Sequence, residues 1–217
     1  MRQAPPAERG RTRTRHWERI HREKAPEETS WHEGRPDISL DFLRRAGLTA
    51  GARVLDVGGG ASTLVDHLLE LGFRPGVLDV SEAALERSQA RLGARAGGVE
   101  WFHADVTRWD PPHAWELWHD RATLHFLVEE ADRRAYRSTL LAALAPGGHA
   151  VISTFAPDGP ERCSGLPVRR HSGAEVEALL GPELSLEEEA RHDHVTPSGA
   201  VQRFMVCRLR RIPEEAP

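Results

Sequence analysis

Two hydrophobic periods alternate along most of this chain. Val54-Leu55-Asp56-Val57 sets apolar or β-branched residues around one acid, the pattern of a short buried strand. Gly58-Gly59-Gly60 then turns the chain, and Ser62 to Leu69 has the spacing of an amphipathic helix. A second strand follows at Phe73–Val80, and a helix runs from Ser81 through Leu92. Val99–Val106 and Trp115–Asp120 read as the third and fourth strands. Between Glu129 and Ala145, Tyr136, Leu140 and Leu144 recur at a spacing of four, the stripe of a helix laid on a sheet. That helix stops at Pro146-Gly147-Gly148, and His149–Thr154 becomes the fifth strand. Ser172–Gly181 is a helix; Glu183–Asp193 and Val201–Arg210 are strands joined by a turn at Thr196-Pro197-Ser198-Gly199. Ahead of the first strand, Ile38, Leu40, Phe42 and Leu43 lead a helix ending near Gly47, whereas Met1 to Arg15 shows no apolar periodicity and reads as disordered. Strands alternating with helices predict an α/β fold built on a parallel sheet.

Composition narrows the function classes. A length of 217 residues suits one domain with a real core. The formal net charge of −4 speaks against nucleic-acid binding through bulk electrostatics. Lys24 is the one lysine among 29 basic residues, a compositional bias without a functional reading. Two cysteines, Cys163 and Cys207, make no disulfide framework and fit a reducing cytoplasm. No apolar run approaches the ~18 residues of a membrane span. The 12 histidines form no H-x-x-x-H pair; His192-x-His194 is the nearest approach to a metal site and has no companion cysteine, so no metal is expected.

The chemistry is announced by the first strand and its turn. Glycines there tolerate positive φ and admit a ligand close to the backbone, and exposed amides at a helix start suit an anionic group. A dinucleotide fingerprint, G-x-G-x-x-G/A, fails at Thr63. Asp79 ends the second strand about 20 residues further on, where βαβ nucleotide sites place a ribose-binding acid. A carboxylate accepts two bonds at once and so matches a vicinal diol. Ser81 is available to cap the following helix, which leaves Asp79 free for that role.

Asp56-x-Gly58-x-Gly60-x-Ser62 resembles motif I of the class I S-adenosylmethionine-dependent methyltransferases, with serine in place of the third glycine. Leu144-x-Pro146-Gly147-Gly148 ahead of a strand, and the terminal hairpin, are similar to the same family. Trp17, Lys24 and Ser30-Trp31-His32 resemble the N-terminal arm of a group that includes small-molecule and protein-lysine methyltransferases, in which the arm folds over the cofactor. The resemblance implies a doubly wound, seven-stranded, mostly parallel Rossmann-like sheet with a C-terminal antiparallel hairpin. It implies S-adenosyl-L-methionine as cofactor, held by Trp31, Asp56, Gly58, Gly60, Ser62, Asp79 with Val80, and Asp105 with Val106 at the adenine edge. Asp120 matches motif IV, where the family's acid either orients the nucleophile or meets the methionine amino group; His125 is either a base or a packed residue.

On this reading residues 1–15 are a tail, 16–47 an arm and helix over the pocket, 48–212 the methyltransferase domain, and 213–217 a tail. The polar loop from Phe155 to His171 lies where such loops select substrate, and its Cys163 is either a soft ligand or an inert thiol. The expected reaction is methyl transfer to a small-molecule nucleophile, a thiol or other small metabolite, without nucleic-acid or membrane partners. A protein lysine side chain is the alternative acceptor, and a non-catalytic S-adenosylmethionine-binding module the alternative of another class. No oligomeric state follows from the pattern.

Overall fold

A computed structural model of the chain describes residues 5–213. Helix α1 spans Pro6–Glu23 and α2 Asp37–Arg45. Strand β1 (Arg53–Val57), helix α3 (Leu64–Glu70), strand β2 (Arg74–Asp79), helix α4 (Glu82–Leu92) and strand β3 (Glu100–His103) follow. Then come β4 (Trp115–Arg121), α5 (Glu130–Ala143), β5 (Leu144–Phe155) and a small hairpin of β6 (Arg162–Cys163) and β7 (Leu166–Pro167). Helix α6 (Gly173–Leu180) precedes β8 (Leu184–Val195) and β9 (Val201–Arg211). The main sheet has seven strands in the order β3-β2-β1-β4-β5-β9-β8. Strands β1 to β5 are parallel, and β9 runs antiparallel between β5 and β8. This is the doubly wound Rossmann-like arrangement implied by the sequence, including its terminal hairpin.

Side-chain alternation along the central strands sorts the core into two layers. Leu55, Val57 and Trp118 pack with Tyr136 and Leu140 of α5 on one face. Val54 and Leu117 pack with Leu40, Phe42 and Leu43 of α2 and with Leu64 and Leu68 of α3 on the other. Asp56 pairs in register with His119, and Val57 with Asp120. The alternation therefore sends Asp56 and His119 to the α2–α3 face and Asp120 to the α5 face. Local signals behave as their chemistry requires. Ser81 caps α4 by accepting from the Ala84 amide at 3.2 Å, and Ser172 and Glu175 close a capping box on α6. Among the described residues no helix is long and apolar enough to cross a membrane.

The structure differs from the sequence expectation at the N-terminus. Residues 5–15, expected as disordered, enter helix α1 at Pro6; residues 1–4 and 214–217 of the expected tails lie outside the described residues. The physical reason is that polar contacts replace the apolar stripe. Arg9, Arg13, Trp17 and His21 recur every fourth residue and so share one helix face. Arg9 and Arg13 ion-pair with Asp132 at the start of α5, at 2.8 and 2.6 Å, and Ile20 is buried beside them in sequence. A second difference is smaller. Strand β5 begins at Leu144, so Pro146-Gly147-Gly148 forms an irregularity between the Trp115 and Leu117 pairings rather than a loop before the strand.

On the α5 face Tyr136 joins the layers. It donates to Asp120 Oδ2 at 2.6 Å and accepts from Trp118 Nε1 at 2.9 Å, all three residues being fully buried. Tyr136→Phe is expected to lower stability by about 1–3 kcal/mol, because two buried polar groups lose their partner. Urea unfolding checks this, and an unchanged midpoint would remove Tyr136 from the stabilising network.

Candidate functional site

The site is a cleft along the C-terminal ends of β1, β2 and β4, opened by the turn after β1. Gly58 and Gly60 have φ of 69° and 27°. Close approach makes glycine necessary at both. A Cβ on Gly58 would lie 2.0 Å from Thr123 Oγ1, and one on Gly60 would lie 2.6 Å from Asp79 Oδ2. Ser62 needs no such freedom. Its amide donates to the Gly59 carbonyl at 2.7 Å and its hydroxyl accepts from the Leu64 amide at 3.1 Å, so the serine tightens the turn into α3.

Two adjoining cavities make up the cleft. The first is walled by Asp79, Val80, Asp105 and Val106 from the sheet edge and by Arg13 and Trp17 from α1. The second is walled by Asp56, the turn from Gly58 to Thr63, His119, Ser39 and the arm residues Thr29, His32 and Glu33. His21, Trp31, Gly58 and Arg121 border both. Every residue expected at the cofactor from the sequence, Asp120 excepted, thus borders one cavity or the other.

The acids of the cleft differ in how far the protein satisfies them. Asp79 accepts from the Ser81 amide through Oδ1 at 2.8 Å, while Oδ2 lies against Gly60. Burial, with the charge of Asp56 adding to it, pushes the Asp79 carboxyl up to about 7. Asp105 takes the Thr107 amide and hydroxyl on Oδ1 at 2.9 and 2.8 Å, and Arg13 on Oδ2 at 3.2 Å. Asp56 accepts from or faces His119 Nδ1 at 2.7 Å, and His119 Nε2 meets Ser39 Oγ at 2.9 Å. The other Asp56 oxygen, Oδ2, is buried without a hydrogen-bond partner.

Aromatic rings roof the cleft. Trp17 meets Trp31 and Phe126 edge to face, at centroid distances of 5.6 and 4.8 Å. Arg121 fastens the arm beneath them, donating to the Trp31 carbonyl at 2.9 Å and to Glu33 Oε1 at 2.8 Å, with Phe204 under its guanidinium at 5.6 Å. His21 is buried at the boundary of the two cavities. Burial, with Arg87 nearby, pushes its imidazole down to about 4, so it is neutral at neutral pH.

Two sequence candidates, Asp120 and His125, lie outside both cavities. Asp120 borders neither cavity: its oxygens receive the Thr123 amide at 2.7 Å, the Leu124 amide at 3.1 Å and the Tyr136 hydroxyl, so it holds the chain after β4. It does so around Ala122, whose φ of 72° is strained for a residue with a side chain. His125 is packed among Phe126 and Phe155 at 4.4 and 4.5 Å, with both ring nitrogens unpartnered. Burial pushes it down to about 3, and it does not reach the cleft. Cys163 does border the first cavity, as a thiol whose pKa burial raises, hence a protonated wall. His194 meets the Ser30 carbonyl at 2.8 Å and Glu33 at 3.2 Å, holding the arm. Among the described residues no three His, Cys, Asp or Glu side chains group to hold a metal ion.

Arg13, His21, Glu33, His119 and Arg121 were not foreseen as site residues. The signal for the first two is the four-residue spacing along α1; for His119 it is the strand alternation that pairs it with Asp56.

Comparison with known proteins finds similarity to methyltransferases. A family model described as a methyltransferase domain matches residues 54–148. The ubiquinone biosynthesis O-methyltransferase of Aromatoleum aromaticum is 30% identical over 167 residues, covering 76% of this chain and 64% of the relative. Nodulation protein S of Rhizobium tropici is 28% identical over 138 residues, covering 64% of this chain and 56% of the relative. The chain's matches therefore span less than two thirds of these curated relatives. Among solved structures, the 1,6-didemethyltoxoflavin-N1-methyltransferase of Burkholderia thailandensis, with 1,6-didemethyltoxoflavin and S-adenosylhomocysteine bound, superposes with a TM-score of 0.76. It is 22% identical, over 98% of this chain and 92% of that one. Residues 54–148 are thus similar to methyltransferase domains, and the fold is that of solved S-adenosylmethionine-dependent methyltransferases.

The buried His125 generates a stability prediction. Its pKa falls from about 6.5 in an unfolded chain to about 3 here, so below about pH 6.5 only the unfolded state takes up its proton. Folding stability tied to His125 is thus intact above that pH and lost as pH falls toward 3. His125→Phe has no hydrogen bond to forfeit. The variant is expected to gain on the parent by up to about 1.4 kcal/mol per pH unit below pH 6, read from urea unfolding of both proteins at matched pH. A gap independent of pH would show that His125 titrates normally.

Proposed function

We propose that this protein transfers the methyl group of S-adenosylmethionine to a small-molecule nucleophile, a thiol or another small metabolite. The observation that carries the reading is Asp79, with one oxygen tied to the Ser81 amide and the other against the glycine turn at the edge of the first cavity. Such an acid suits a ribose diol, with Val80 beside it. Asp105 and Val106 face the adenine edge; Arg13 takes one lone pair of Asp105 Oδ2 and leaves another for a second donor. Gly58, Trp31, His21 and Arg121, common to both cavities, then border the sulfur between adenosine and methionine ends.

When bound, the cofactor supplies an electrophilic methyl carbon. The protein's part is to orient the two reactants and to keep water out. The Trp17–Trp31–Phe126 roof, the Cys163 wall and the arm held by Arg121 do the latter. His21, a neutral imidazole at the junction, is placed to take the proton that the acceptor atom sheds on methylation. Support for a small acceptor comes from relatives named for ubiquinone biosynthesis and for 1,6-didemethyltoxoflavin, both small molecules.

Calorimetric titration with S-adenosylhomocysteine, with NADH alongside, tests the reading. Micromolar binding of the thioether and none of NADH is expected; the reverse would sink it. Methyl label from the cofactor should then enter a low-mass fraction of a cell extract, whereas a labelled protein band would favour a lysine acceptor. Asp79→Ala should weaken S-adenosylhomocysteine binding by about 1–3 kcal/mol, as when bonds to a charged acceptor are lost.

A pH dependence follows from the same residue. Ribose hydroxyls donating to Asp79 favour its ionised form, and its carboxyl titrates at about 7. Affinity should therefore rise as pH is raised from 6 to 8 and level off above. A flat profile in the parent protein would take Asp79 out of the ribose site.

A further inference from the structure

The first cavity is walled by more than the acids of the sheet edge. Trp17 of α1, Trp31 of the arm, Phe126 and Leu127 after β4, and Cys163 of β6 also border it. Four segments distant in sequence thus bring uncharged side chains to one place. Cys163 is backed by Phe155 and Phe204, and Phe126 packs against the same cluster. Trp17, Trp31 and Phe126 are each partly exposed, so apolar ring surface is left for a guest to remove from water. The Trp17 plane stands at 82° to that of Trp31 and at 71° to that of Phe126. Rings set at such steep angles form a corner, in which a flat molecule can lie on the face of one ring and meet the edge of another.

The charges around the cleft decide what kind of guest that can be. Asp79, Asp105, Glu33 and Asp56 border the two cavities, against two guanidinium groups, Arg13 and Arg121. Both guanidiniums already hold carboxylates. Arg13 lies between Asp105 and Asp132, and Arg121 meets Glu33 and the Trp31 carbonyl. His21 adds no charge at neutral pH, because burial pushes its imidazole down to about 4. A carboxylate or phosphate entering here would lose its water beside a surplus of negative charge, with both of these cations taken. An uncharged molecule meets neither cost.

We infer that Trp17, Trp31, Phe126 and Cys163 form the acceptor subsite, and that the acceptor is an uncharged aromatic ring compound presenting an O–H, N–H or S–H group toward His21. The inference rests on the proposed function, since adenosine on the side of Asp79 and Asp105 leaves this wall for the second reactant. A lone pair of the acceptor atom forms the new bond to the methyl carbon while the carbon–sulfur bond breaks. That bond's electron pair stays on sulfur, and the acceptor's proton passes to His21. Trp17, Trp31 and Cys163 lie outside residues 54–148, the stretch similar to methyltransferase domains. The choice of acceptor is therefore carried by α1, the arm and the β6–β7 hairpin, segments particular to this chain. Cys163 determines specificity there, as a small uncharged side chain whose thiol burial keeps protonated.

Three probes separate charge from shape: methyl 3-hydroxybenzoate, flat and neutral; 3-hydroxybenzoate, flat and anionic; and methyl 3-hydroxycyclohexanecarboxylate, neutral and puckered. Each is titrated calorimetrically into the full chain saturated with S-adenosylhomocysteine. The flat ester should bind at least tenfold more tightly than either of the others. Cys163→Lys sets a cation in the wall and should bring 3-hydroxybenzoate within threefold of the ester, with S-adenosylhomocysteine binding retained as the check on folding. Phe126→Ala, checked in the same way, should weaken the ester at least fivefold. Three results would each overturn the acceptor assignment while leaving the cofactor reading intact: a carboxylate or puckered probe binding as tightly as the flat ester, no binding of the ester to the loaded protein, or unchanged ester affinity in Phe126→Ala. A parent protein that does not bind S-adenosylhomocysteine would overturn the cofactor reading and this inference with it.

Discussion

Three carboxyl groups stand at the same edge of three adjacent strands, Asp79 on β2, Asp56 on β1 and Asp120 on β4, all of them buried. A charge in a low-dielectric interior must be paired, hydrogen-bonded or protonated. Much of the surrounding structure answers that requirement. Asp120 is answered fully, by two amides and the Tyr136 hydroxyl. Asp79 is answered on one oxygen by the Ser81 amide. Asp56 is answered on one oxygen by His119 and left without a partner on the other. The acid completed by the protein borders neither of the two cavities; Asp79 borders the first and Asp56 the second. The three acids thus differ in how much hydrogen-bonding capacity the fold itself takes up.

That distinction also marks what was legible in the sequence. The order of strands and helices, the glycine turn, Asp79 after the second strand and Asp105 after the third follow from period, spacing and chain punctuation, and those signals are local. Position at a strand end does not by itself tell which layer Asp120 faces; the strand's alternation does. Asp56 is registered against His119 rather than against Asp120, so Asp120 necessarily points to the opposite layer, toward Tyr136. That argument was available once the first and fourth strands were taken as neighbours. His125 shows the other limit. Nothing in its local sequence reveals that Phe155 and Phe204, far along the chain, close around the ring.

Helix α1 escaped a reading based on apolar periodicity because its contacts with the body near the cleft are largely polar. Arg13 spans Asp105 at the end of the sheet and Asp132 on α5. Glu18 accepts from the Ser81 hydroxyl at 2.8 Å and the Ala83 amide at 3.2 Å at the start of α4. Gly10 lets the helix lie close to Asp105, where a Cβ would come within 2.7 Å of Oδ2. Each contact joins a charge to a group that is poorly satisfied without it, and together they bring Trp17 and His21 over the cleft. The helix is therefore specified by its partners on the sheet edge more than by its own composition.

The same burial sets the chemistry available in the cleft. It leaves His21 neutral, keeps the Cys163 thiol protonated and raises Asp79 to about 7. Arg121, the cation common to both cavities, is engaged by Glu33 and the Trp31 carbonyl. A cleft of this kind presents no activated nucleophile of its own, and it holds no metal-binding group of three side chains among the described residues. What it offers is an aromatic-roofed space with carboxylate acceptors along one wall and the neutral imidazole of His21 where its two cavities meet. Such a site suits a reaction whose electrophile and nucleophile both arrive from outside, where alignment and exclusion of water account for most of what the protein contributes. Methyl transfer between two bound molecules, the proposed reaction, is of that kind, and it asks of these residues that they hold ligands rather than attack them.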